Sequence, residues 1–139
     1  MRRLAFALVL LALGCTVTWA HDDEYFVTHP TPHGGQMRMA GPYHLELVAR
    51  QNEITIYVTD HGGEAVDTAG GSAKVIITSG KKKRYVVILS AGGDNALKGS
   101  GEFKLGKSNT ASVLVALPGQ DPQRAQFTLG ASKKSRKHH

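Results

Sequence analysis

Between residues 29 and 61 the chain gathers the side chains that a soft or borderline metal ion prefers. The stretch HPTPHGGQMRM (29–39) holds His29, His33, Met37 and Met39, and His44, Glu46, Asp60 and His61 follow it. The whole chain of 139 residues has only seven His and three Met, one of them residue 1, so the concentration is uneven. Imidazole suits copper, zinc and nickel, whereas thioether favours Cu(I). The single cysteine, Cys15, falls within the first twenty residues, which leaves no thiolate for the body of the protein. A ligand set of His and Met without Cys points first to copper and then to zinc.

These residues need elements that bring them together, and the first hairpin supplies them. PYHLELVAR (42–50) and EITIYVTD (53–60) alternate apolar and polar residues, with Gln51-Asn52 between them as a two-residue turn. That turn pairs Arg50 with Glu53, Leu47 with Ile56 and Leu45 with Val58, so one face is wholly apolar. A buried face selects its register in this way. The other face then carries His44 and Glu46 from one strand and Thr55, Tyr57, Thr59 and His61 from its partner. His44 lies opposite Thr59, and His61 becomes its diagonal neighbour at about 7–8 Å between Cα atoms. Glu46 shares the face of His44 by period-two alternation. Gly34-Gly35 gives the backbone freedom for His33 to fold back over the hairpin, with Met37 and Met39 following as soft ligands. The candidate metal set is therefore His33, His44, Glu46, His61, Met37 and Met39.

Blander roles compete for each member. A single His on a polar strand face is usually solvated, Met37 and Met39 suit capping a core, and Glu46 suits a surface carboxylate opposite Tyr57. Asp60 opens an Asp-His-Gly-Gly turn of its own. His29, between Thr28 and Pro30, is the weakest candidate. His21 would chelate Cu(II) through its α-amino group and imidazole if it were the mature N-terminus.

Residues 1–20 have the layout of a secretory signal: Met1-Arg2-Arg3, the apolar run Leu4 to Leu13, and a small residue at Ala20. Cleavage is expected after Ala20. The alternative, lipidation at Cys15, is disfavoured by Ala12-Leu13-Gly14, a poor lipobox. The apolar run is too short to span a bilayer, so no stable membrane insertion is expected. Residues 21–41 read as an irregular arm and 131–139 as a disordered basic tail. Between them, residues 42–130 form one domain of about seven strands, at 42–50, 53–60, 72–79, 83–91, 101–106, 111–118 and 124–130. The pattern predicts an all-β fold, a single antiparallel sandwich of immunoglobulin-like type.

The formal charge of +6 does not describe the body. Arg2 and Arg3 leave with the leader, and Lys133, Lys134, Arg136 and Lys137 sit in the tail, so the remainder is near neutrality. Nucleic-acid binding is not expected from such a distribution. KKKR (81–84) reads as a solvated turn. No nucleophile, base and orienting group cluster plausibly, and no glycine-rich phosphate loop appears, so no enzymatic role is expected.

The string PHGGQMRMAGPYHLELVARQNEITIYVTDHGGEAVDTAGG resembles the small periplasmic β-domain associated with adaptor subunits of heavy-metal RND efflux systems. The matching positions are His33-Gly34-Gly35, His44 and Glu46, Ile56 to Asp60, and Ala65 to Thr68, with GGDNALKGSGEF downstream. The resemblance implies a periplasmic β-sandwich that binds or delivers a heavy-metal cation, with an efflux-pump component as its partner. The chain lacks the helical hairpin and lipoyl-like segments of a full adaptor. The expected function is metal sequestration, delivery or resistance. The competing expectation is an immunoglobulin-like interaction module in which the His residues have no metal role.

Overall fold

The computed structural model describes residues 31–80, 83–106 and 108–130. The expected signal segment, His21, His29 and the basic tail lie outside the described residues. Eight strands follow in order: β1 (Gln36–Ala40), β2 (Tyr43–Arg50), β3 (Glu53–Asp60), β4 (Ser72–Ser79), β5 (Lys83–Ala91), β6 (Ala96–Ser100), β7 (Ser108–Ala116) and β8 (Gln123–Gly130). None of the described residues is helical, and no helix among them is long and apolar enough to cross a membrane.

The strands form one antiparallel sheet ordered β1-β2-β3-β6-β5-β4-β7-β8, where the sequence predicts a two-sheet sandwich of about seven strands. The sheet curls until its edges meet. Gln36 Nε2 donates to the Thr128 carbonyl at 2.6 Å, and the Arg38 guanidinium sits 5.8 Å from the Phe127 ring centroid. The result is nearly a closed barrel, a solution that removes exposed strand edges. The interior is filled by alternate residues, among them Leu45, Leu47, Ile54, Ile56, Val75, Ile77, Leu89, Val113 and Phe127. Eight strands leave an interior just wide enough for side chains, so the barrel has a packed core.

The first hairpin follows the register that its apolar face dictates. Tyr43 pairs with Asp60, His44 with Thr59, Leu45 with Val58, Leu47 with Ile56 and Arg50 with Glu53. Two elements differ from expectation. Residues 36–40, expected in the irregular arm, form β1, because their alternation puts Met37 and Met39 on the outer face with Glu46 and His44, and Gln36, Arg38 and Ala40 on the inner face with Leu47, Leu45 and Tyr43. Residues 101–106 lie outside the sheet, and the strand falls at 96–100 instead. Gly99 makes this possible: a Cβ there would collide with the Ile88 carbonyl and with Leu89 Cδ2, so only glycine lets β6 close on β5. After β6 the chain turns Phe103 into the core, and buried Asn109 holds the segment. Its Nδ2 donates to the carbonyls of Gly106 and Leu129, and its Oδ1 accepts from the Gly106 N–H.

The topology gives the barrel two unlike ends. One end collects the β1–β2, β3–β4, β5–β6 and β7–β8 connections. With the end of β3 these contain Asp60, Glu64, Asp67, Asp94 and Asp121, and no Lys or Arg. His61 belongs to this acidic end.

Candidate functional site

The outer face of β1, β2 and β3 positions the candidate ligands. Register places Met37 beside Glu46 and Met39 beside His44, while His44 faces Thr59 and Glu46 faces Tyr57. All six expected residues thus gather on this face or at its margin, five of them in two groups and Met37 alone beside Glu46.

The first group is His33, Glu46 and Tyr57. Glu46 points outward from the barrel core, yet only 2% of it is exposed, because the loop 31–35 folds over it. One carboxylate oxygen, Oε2, accepts the backbone N–H groups of His33 at 2.9 Å and Gly35 at 3.0 Å. The other, Oε1, lies 2.9 Å from His33 Nδ1. Burial by itself pushes the Glu46 carboxyl up. The hydrogen bonds from the Gly35 N–H, the His33 ring and the His33 N–H outweigh it and hold the carboxyl below its ordinary value. A carboxylate only accepts, so His33 Nδ1 carries a proton and Nε2 keeps its lone pair in the neutral ring. The imidazole stacks on Tyr57, with centroids 3.6 Å apart and planes 4° from parallel. Two glycines make the loop possible. Gly34 has φ +74°, and a Cβ on Gly35 would run into the Leu47 carbonyl and Val48. The Thr31 hydroxyl closes the turn by donating to the Gly35 carbonyl at 2.9 Å.

The second group is Met39, His44 and His61. The His44 and His61 rings meet edge to face at 4.8 Å between centroids. The His61 Nε2 lies 2.9 Å from the Gly41 carbonyl, which can only accept, so Nε2 carries the proton and Nδ1 has the lone pair. Metal-ligating imidazoles are commonly oriented in this way, one nitrogen donating to a fixed oxygen while the other faces the ion. Asp60 stays with its turn, its Oδ1 accepting the N–H groups of Gly62 and Glu64. Met39 is half-buried, and Met37, 8% exposed, lies outside the core cluster.

Among the described residues no three His, Cys, Asp or Glu side chains converge as a metal-holding group. A site here would have to draw on thioether sulfur as well as imidazole. Beside the first group lies a cavity of about 310 Å³, lined by His33, Tyr57, Thr55, Arg50, Glu53 and Lys98 among others.

Residue reasoning missed two contributors, Tyr57 as the platform for His33 and the Gly41 carbonyl as the acceptor for His61. Tyr57 was readable in principle, since register places it opposite Glu46. The Gly41 contact depends on the path of the 60–63 turn, which residue types alone do not fix. No family model, curated protein or solved structure matches the chain.

Proposed function

We propose that this chain binds a heavy-metal cation, copper first and zinc second, and serves in its sequestration, delivery or resistance in the periplasm. On this reading Met39, His44 and His61 are the primary ligands. Met37 is an auxiliary, and His33 with Glu46 stands beside them as a carboxylate-oriented imidazole. The observation that carries the reading is the edge contact of His44 with His61, with Met39 as the direct strand partner of His44. Two imidazoles and a thioether form a ligand set suited to Cu(I).

The acidic end supports the same reading. Five carboxylates surround the loops that carry His61, and a field of one sign raises the local concentration of cations. The site is also shallow, with His61 exposed on a turn, an arrangement suited to handing an ion on. An efflux-pump component as acceptor rests on the resemblance in sequence and remains part of the proposal.

Titration of the mature chain with Cu(I), Cu(II) and Zn(II) tests it. The wild type is expected to bind Cu(I) most tightly, and His44→Ala with His61→Ala to lose at least about a hundredfold in affinity, the upper end of what losing a ligand's supporting partner alone costs. Unchanged affinity in the double variant would reject the site. Failure of the wild type to bind any of the three ions would favour an interaction module without a metal role.

A further inference from the structure

The far side of the barrel has a different chemistry. Strands β4, β5, β7 and β8 contain no Asp or Glu, yet they carry Lys74, Lys83, Arg84 and Arg124. On their outer face Val86 and Ile88 are 56% and 61% exposed. Register places Ile76 beside Val86, Lys74 beside Ile88, Leu114 beside Lys74, and Arg124 beside Leu114. Half-buried Ile76 and Leu114 extend the two exposed residues into an aliphatic patch, with Lys74 set between Ile88 and Leu114 and Arg124 at its β8 margin. Arg84, outward beside Thr78, closes the row beyond Val86.

We propose that this face docks peripherally on an anionic lipid bilayer. The patch demands a partner that is negatively charged and apolar at once, over the convex wall of a barrel. A bilayer interface offers both, since phosphates meet Lys74, Arg84 and Arg124 while the acyl boundary receives Val86 and Ile88. Long cationic side chains suit that boundary, their stems lying along apolar surface and their heads reaching phosphate. An acidic protein segment would satisfy the cations but leave the aliphatic centre without a matched partner. Strand order adds an orientation. β4 lies four places from β2 in an eight-strand ring, so docking through β5-β4-β7 leaves the His44 side of the barrel facing away from the membrane. The docking face shares no residue with the proposed metal site and stands independently of it.

Cosedimentation of the mature chain with vesicles of phosphatidylglycerol and phosphatidylcholine, against vesicles of phosphatidylcholine alone, tests the proposal. The wild type is expected to partition onto the anionic vesicles only. Partitioning should fall by about tenfold or more in Val86→Ser with Ile88→Ser, and separately in Lys74→Glu with Arg124→Glu. All four side chains are on the outer face, and unchanged far-UV circular dichroism would show the barrel intact. Equal partitioning onto both vesicles would overturn the proposal. So would anionic binding unchanged in both variants, which would assign the attraction to the basic residues after β8. Binding to polyglutamate with none to vesicles would overturn it in favour of an acidic protein partner.

Discussion

At the scale of the residue, Glu46 has the most particular environment. It is buried outside the core, and the two backbone donors it accepts belong to the loop that covers it. Its carboxyl is held below the ordinary value of 4.5, so the charged form stabilises the fold. That contribution is fully present above the unfolded value and is lost as the pH falls through the lowered folded one. Amide exchange at Gly35 is therefore expected to stay slow near neutrality and to accelerate relative to the core when acid protonates Glu46. Uniform behaviour of Gly35 and the core across that range would contradict the assignment. Glu46→Gln keeps one oxygen for the two N–H groups but removes the charge and sets an NH2 opposite His33 Nδ1, and it is expected to cost about 1–3 kcal/mol in denaturant unfolding. Tyr57→Leu removes the stacking platform. The His33 ring protons, shifted upfield by the tyrosine face in the wild type, are expected to return toward random-coil positions with little loss of global stability.

At the scale of the element, legibility in the sequence followed side-chain pattern. The β2–β3 hairpin was fully readable, because its apolar alternation and two-residue turn admit one register that buries a clean face. The same register correctly brought His44 and His61 together. β6 escaped notice, since Ala-Leu-Lys-Gly-Ser has neither β-branched residues nor a clear alternation, and its fit depends on the absence of a side chain at Gly99. Gly99→Ala is expected to destabilise the barrel by about 1–3 kcal/mol, the range for forced overpacking, as read from the shift in denaturation midpoint. A change below the resolution of that measurement would show that β5 and β6 are not in the tight approach described. β1 is obscured differently: Met37 and Met39 read by their chemistry as soft ligands in an irregular arm, while their alternation is a strand signal. Separation of His33 and Glu46 from Met39, His44 and His61 is also invisible, because it depends on Glu46 being claimed by the loop 31–35.

At the scale of the whole molecule, closure of one sheet in place of a sandwich is a property of which edges meet. Strand patterns do not encode it, since inward and outward alternation is the same in both architectures. Closure depends on β1 reaching β8, through Gln36 to Thr128 and Arg38 over Phe127. Phe127 is fully buried, and Phe127→Ala is expected to cost about 3–5 kcal/mol. A loss of that size would lower the melting temperature severely and test whether β8 is integral to the core. The charge layout is also global. Carboxylates collect in the loops at one end, while four neighbouring strands carry cations alone, and only the folded topology separates them. A cation would be drawn to the end that bears His61, and an anionic surface to the opposite wall.

The proposed site of imidazole and thioether on the β1–β2–β3 face is open to copper K-edge absorption of the Cu(I)-loaded protein. One sulfur and two nitrogen scatterers are expected in the wild type, with the sulfur lost in Met39→Leu and a nitrogen lost in His61→Ala. A copper environment without sulfur, or one unchanged by both substitutions, would rule out Met39, His44 and His61 as the ligands.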